Sequence, residues 1–188
     1  KSVSVSNLIN GATRLQPVVM QLGQAAGALA ALACVKGKGV KEIGVRQVQE
    51  ALLDAGCYIM PYLDLPLGDR HFKALQRIGA TGILRGEGRN VGWSNETWFR
   101  AGDPLLAEDI HIQDYYGNFS LGTGEITVGR VTDLIRMAGG NIPYGNEASW
   151  WEKLGLMEYD AARTINRLEA AVVIDAAFDP FGMFEVDY

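Results

Sequence analysis

The sequence is short of the residues that build reactive sites by themselves. Its 188 residues hold two cysteines, Cys34 and Cys57, too few for a disulfide framework. With no CxxC, no HExxH, and His71 and His111 far apart, no zinc-ligand spacing is present. Basic residues number 17 against 22 acidic ones, a net charge of −5, so no positive field draws in nucleic acid or anionic lipid. No Ser-His-Asp arrangement can be nominated. No G-x-G-x-x-G follows a strand; Gly86-Glu87-Gly88 comes nearest, but position 91 is Val and no βαβ pattern surrounds it. Lys1 to Thr13 do not resemble a targeting signal.

What is present is apolar and helical in pattern. Pro17 to Val35 is an Ala-rich run that invites a membrane or signal reading. Gln21 and Gln24 interrupt it, and Ala and Gly stand where a bilayer span would carry Leu and Ile, so a buried helix of a soluble domain is expected. Asn10-Gly11 reads as a turn before it, Pro17 suits its first turn, and Gly37-Lys38-Gly39 ends it. Val45, Val48 and Leu52 share one face of a second helix, Val45 to Ala55, which should fold back as a helical hairpin.

Tyr58 to Leu67, with Pro61 and Pro66, reads as an extended linker. Beyond it the pattern predicts a short helix from Phe72 to Gly79, a hairpin or ordered loop over Val91 to Phe99, an irregular Gly-rich stretch at Asp114 to Gly124, and a helix over Thr127 to Ala138. Ser149-Trp150-Trp151-Glu152 and Asn166-Arg167-Leu168-Glu169 both fit the capping box, opening helices to Met157 and to Ala177, with Pro180 closing the latter. A weak repeat runs through this region. Leu75-Gln76-Arg77-Ile78-Gly79 with Gly82-Ile83-Leu84 parallels Trp151 to Met157, and each leads to a Thr-x-x-Arg helix start at Thr127 or Thr164. The fold class expected is mainly α with short β or hairpin elements. Residues 1–60 would form one segment and 61–188 a helical accessory domain.

The candidate site is Gly11-Ala12-Thr13-Arg14-Leu15-Gln16-Pro17, continuing through Val18-Val19-Met20 to Gly23-Gln24-Ala25-Ala26-Gly27. It aims a helix N-terminus, with unpaired amides and positive dipole, at a ligand edge. Gly23, Ala26, Gly27 and Ala30 recur at helical spacing, letting a neighbour approach closely. This stretch resembles the final motif of FAD-dependent oxidoreductases, the fumarate reductase-like group included. It is similar above all to a family of exported bacterial proteins sometimes labelled xanthan lyases, which also read Arg-x-Gln-Pro, then Met, then Gly-Gln-Ala-Ala-Gly. The resemblance implies that Arg14, Gln16 and the amides of Val18 and Val19 lie at the flavin edge. It also implies that this chain is the C-terminal portion of an FAD enzyme, not active alone, whose FAD is held together with the N-terminal part of the same domain. An exported or periplasmic setting follows from the resemblance only. Against the fumarate reductase-like pattern, about four residues are missing between Arg14-Leu15 and Gly23.

Residues 69 to 180 resemble tandem surface-layer-homology (SLH) repeats, which pair a short helix and a Gly-Ile/Leu turn with a Thr-Arg-x-Glu helix start. The match is Thr164 to Glu169, with two residues between Thr and Arg; the Thr127 copy lacks the acid. Such repeats bind cell-wall polysaccharide in some exported proteins, which makes a non-catalytic polysaccharide-binding or structural module the rival reading. Asp64 with Asp69, or Glu108 with Asp109, are the available acid/base pairs, with solvated charges the plainer account. Trp93, Trp98, Phe99, Tyr115, Tyr116 and Phe119 could make a sugar-stacking platform or a satellite core. Catalytic residues are not identifiable, and no metal is expected.

Overall fold

The computed structural model describes residues 4–117 and 122–186. These residues are mainly α with one two-stranded antiparallel sheet among them. The chain divides into two units: one runs to Cys57 and takes in the chain's end from Glu185, the other is Tyr58–Phe184.

The first unit opens with α1 (Asn7–Thr13), then α2 (Gln16–Lys36), a 3₁₀ turn (Val40–Glu42) and α3 (Val45–Asp54). Helix, not a turn, crosses Asn10-Gly11. The Ser6 hydroxyl accepts from the Ile9 amide at 3.3 Å and caps that helix, so the break falls later, at Arg14-Leu15. α2 ends where the sequence predicts, at a left-handed Gly37. α3 folds back on it: the Lys36 ammonium donates to Gln47 at 2.7 Å, and the Gln24 amide meets the Cys57 sulfur at 2.7 Å. Ala25, Ala28, Leu29, Leu32 and Ala33 form the less exposed side of α2 within this hairpin.

That antiparallel arrangement fixes the cysteines. Cys57 sits beside Gln24, and Cys34 lies ten residues further along the same helix, roughly 15 Å at 1.5 Å per residue. A disulfide needs Cα atoms within about 7 Å. Both cysteines are free. Titration of the denatured, unreduced protein with a thiol reagent is expected to find two thiols per chain; none, in a monomer, would contradict the hairpin.

In the second unit, α4 (Phe72–Thr81) leads to β1 (Glu87–Val91) and β2 (Ser94–Trp98), a 3₁₀ turn (Ala107–Asp109), α5 (Gln113–Tyr116), α6 (Val128–Met137), α7 (Glu147–Lys153), α8 (Arg167–Phe178) and α9 (Pro180–Met183). Gly79 does not end α4; it lies inside the helix, where any Cβ would run into the Tyr62 ring, and Gly82 caps the end in the left-handed region. The Tyr58–Leu67 segment is no free linker. Tyr62 and Leu65 are buried, and the Tyr58 hydroxyl donates to the Leu65 carbonyl at 2.8 Å. Burial pushes the Tyr62 hydroxyl up to about 12. Ser149 does not cap α7 either: it sits within the helix, which begins at Glu147. Pro180 opens α9, after a left-handed Asp179 that ends α8.

The centre of this unit is a closed ring of three short extended segments: 104–106, 125–127 and 164–166. Pro104 bridges Asn166, Leu106 bridges Glu125, and Thr127 bridges Thr164. The middle residues bond in a cycle: Leu105 donates to Ile165 (2.9 Å), Ile165 to Ile126 (3.1 Å), and Ile126 to Leu105 (3.2 Å). A second cycle surrounds it, Arg167 N–H to Asp103 O, Ala107 to Gly124, and Val128 to Arg163, all at 2.9–3.0 Å. Leu105, Ile126 and Ile165 are buried, so their backbone groups need these partners. Each segment launches a helix: the 3₁₀ turn at Ala107, α6 and α8. The sequence repeat of two is thus a ring of three, with the unit at Asp103–Ile110 shortened to a single 3₁₀ turn.

α8 is apolar all round and buried accordingly, with Ala170, Ala171, Val172, Val173 and Ile174 all covered. Its start holds the predicted capping box: the Glu169 amide donates to Asn166 Oδ1 at 2.8 Å, and the Asn166 amide to Glu169 Oε2 at 3.4 Å. Asn166→Ala is expected to cost about 1 kcal/mol in denaturant melts. An unchanged midpoint would remove the capping role.

Candidate functional site

The sequence nominates the junction of α1 and α2. Arg14 caps the end of α1 and is exposed, and Gln16 begins α2, also exposed. Pro17 follows in the first turn, where its missing N–H leaves no orphan. Among the first-turn amides, those of Gln16 and Val18 have no intrahelical acceptor. The Val19 amide already donates to the Leu15 carbonyl at 3.0 Å, so Val19 presents an exposed side chain instead of a free donor. The site thus contains two backbone donors at a positive helix end, flanked by a guanidinium and a side-chain amide.

One side of α2 continues from it. At 100° per residue, Gln16, Met20, Gly23, Gly27, Ala30 and Cys34 lie opposite the side that faces α3. All six are exposed, and a Cβ at Gly23 or Gly27 would meet nothing within 4 Å. α2 is as apolar as α8, yet Ala33 is its one buried residue. By length and composition it could also cross a membrane.

Such donors suit an acceptor oxygen or an anion. Gly86-Glu87-Gly88 belongs to the start of β1 in a hairpin, not to a strand–turn–helix, so that glycine pair forms no phosphate cradle.

The other nominated residues are committed to structure. Asp64 accepts the amides of Phe99 and Arg100 at 2.8 and 2.6 Å, and Asp69 that of His71 at 2.7 Å. Glu108 accepts the Gly124 amide at 2.8 Å, and Asp109 pairs with Arg167 at 3.0 Å. None of the four forms a paired acid and base. The aromatics diverge. Trp93 is fully exposed at the hairpin tip, Trp98 is half-buried with its indole N–H on Glu96, and Phe99 is buried. Tyr115 and Tyr116 pack on Phe184, and Tyr116 stacks on Phe178; Phe119 lies outside the described residues. No metal-binding cluster occurs among the described residues.

Sequence reasoning missed Arg167 as a hub. Its guanidinium donates to Phe99 O (2.9 Å), Arg85 O (2.6 Å) and Asp109 (3.0 Å). Its partners lie 58 to 82 residues away in sequence, so no local pattern points to them. Comparison with known proteins gives no match among curated proteins and none among solved structures. Residues 1–52, the segment holding α1, α2 and most of α3, match the family model described as FAD dependent oxidoreductase.

Proposed function

We propose that the first unit is the closing segment of an FAD-binding domain and that the second is an accessory domain, the chain being inactive without the rest of the flavin domain. The observation that supports this best is the bare side of α2. An all-round apolar helix belongs inside a domain, and here its small-residue side is open directly below the two first-turn amides, within the stretch that matches the flavoenzyme family. A sheet or a flat ring can approach Gly23 and Gly27 to backbone distance.

FAD would supply hydride transfer, a chemistry that belongs to the cofactor. This chain's residues would bind and orient it. The Gln16 and Val18 amides would donate to the pyrimidine oxygens, where the helix dipole also favours negative charge. Arg14 and Gln16 would flank that edge, and the open side of α2 would exclude water from one flank. For the accessory unit, the ring of three segment-and-helix units supports an SLH-like reading.

The test is the absorption spectrum of the whole protein. It is expected to be yellow and to bleach on reduction, whereas residues 1–188 by themselves are expected to be colourless and to bind an apolar dye. A folded, flavin-free whole protein would overturn the reading. So would a whole protein that stays in the membrane fraction after carbonate washing, because lipid would then cover α2. Retention on insoluble cell-wall polysaccharide that is lost in Trp93→Ala, in a flavin-free protein, would instead favour a binding module.

A further inference from the structure

The second unit carries a cleft of about 550 Å³ into which Arg85, Arg89, Arg100 and Arg167 all face, with Glu87, Asp103 and Asp109 among them. Its volume lies in the range of small-ligand sites, about 300–1,000 Å³. Arg167 is buried and fully engaged, so it forms the floor. The other three are partly exposed: among the described residues Arg85 has only a long contact of 3.6 Å to Asp114, while Arg89 and Arg100 both turn to Glu87 and Arg100 also reaches Asp103 at 3.4 Å.

Two features distinguish this from an ordinary surface ion-pair cluster. Arg100 has φ of +59°, a left-handed conformation that side chains other than Gly, Asn and Asp rarely adopt. Asp64 holds it there by accepting the amides of both Phe99 and Arg100. Strain of this kind persists where surrounding structure enforces it, and it turns the Arg100 side chain into the cleft. Second, the Glu87 carboxylate is held by two guanidinium groups at once. Arg89 donates from Nε to Oε1 at 2.7 Å and from Nη2 to Oε2 at 3.3 Å, and Arg100 Nε donates to that same Oε2 at 2.5 Å. Arg89 grips the carboxylate as a fork, the geometry in which arginine recognises carboxylate or phosphate, and Arg100 meets it from a second side.

We propose that this cleft binds a small anion bearing carboxylate or phosphate groups, and that Glu87 is an internal carboxylate holding the ligand's place on Arg89 and Arg100. The ion pairs that hold Glu87 are open to solvent and screened by it, so an incoming anion competes with Glu87 directly for the two guanidinium groups. The ligand then bridges Arg89 and Arg100, and Arg85 swings in from its long contact with Asp114. The site lies wholly within the second unit and does not depend on the flavin reading.

Isothermal titration of the whole protein with citrate and, separately, with inorganic pyrophosphate tests this, with maltotriose as a neutral control. Whichever anion binds identifies the carboxylate or the phosphate source, and its affinity should fall with added salt. Arg89→Met/Arg100→Met is expected to weaken binding about tenfold or more. Glu87→Gln is nearly isosteric on an exposed side chain, leaves the fold intact, and should tighten binding roughly three- to tenfold by removing the internal competitor. Arg89→Met alone, on the exposed hairpin, gives the same direction should the double variant misfold. No anion binding by either the parent or Glu87→Gln would overturn the proposal. Binding undiminished by the arginine substitutions, or confined to maltotriose, would do the same.

Discussion

Replacing Gly27 with valine is expected to strip flavin from the whole protein while leaving residues 1–188 by themselves unharmed. Gly27 lies mid-way along the open side of α2, and a Cβ there meets nothing within 4 Å in this chain. Within the chain alone, valine therefore makes no clash, and it replaces the poorest helix former after proline, so the melting midpoint should hold or rise slightly. In a completed flavin domain the same branched side chain would be driven into whatever backbone or ring lies on Gly23 and Gly27. Overpacking of that kind costs about 1–3 kcal/mol, or roughly five- to hundredfold in occupancy at 1.4 kcal/mol per tenfold. Flavin absorbance per mole of purified protein reads the effect. Glu50 is half-buried in α3 and makes a poor control, whereas exposed Lys38, beyond the end of α2, is suitable and should leave occupancy unchanged. Equal flavin content in Gly27→Val and parent would mean that this side faces nothing close, and the cofactor role of α2 would fall with it.

The elements that local chemistry specifies were readable in the sequence. Gly37 stops α2, Asn166 and Glu169 close a capping box, and Thr127 starts α6 with its hydroxyl on the Arg130 amide. Misreadings arose where tertiary contact overrode a local signal. Gly79 looks like a helix terminator but is there to admit the Tyr62 ring. Ser149 and Glu152 have the spacing of a capping box, yet helix begins at Glu147, and the pair sits a turn too far in. Tyr58 to Leu67 has the prolines of a linker, but Tyr62 and Leu65 supply buried side chains that fix it to the second unit. The ring of three was the least legible. Its segments are three residues long, each pairs with two others distant in sequence, and the one at 104–106 leads into a single 3₁₀ turn where the other two lead into long helices. For the candidate site, sequence placed Arg14, Gln16 and Val18 at the helix start. Which amides remain available required the backbone, since Val19 N–H turns out to be spent on Leu15.

Arg167→Ala is expected to be the most destabilising single change in the second unit, costing about 3–5 kcal/mol. The residue is the first of α8, and its backbone N–H closes one side of the ring on Asp103 at 3.0 Å. That bond survives the substitution; the guanidinium's do not. Removing the side chain strands the carbonyls of Phe99 and Arg85, leaves Asp109 without its cation, and empties the space 5.3 Å above the Phe99 ring. An acceptor left unsatisfied away from water costs about 1–3 kcal/mol, and the packing lost with a buried arginine stem adds to that; the half-exposed Asp109 contributes less. Against a typical total of about 5–15 kcal/mol, the sum is a large share. Lysine should recover little, since one ammonium on a flexible stem cannot serve three acceptors set by a planar fork. Asp109→Asn should cost much less, because Asp109 is 42% exposed and water can take over part of its role. Urea unfolding of the three variants beside Asn166→Ala decides the matter. The predicted order is Arg167→Ala, then Arg167→Lys, with Asn166→Ala and Asp109→Asn near the bottom. If Arg167→Ala costs no more than its neighbour Asn166→Ala, the guanidinium is no hub, and the backbone ring alone must hold α8, the 3₁₀ turn and the hairpin together.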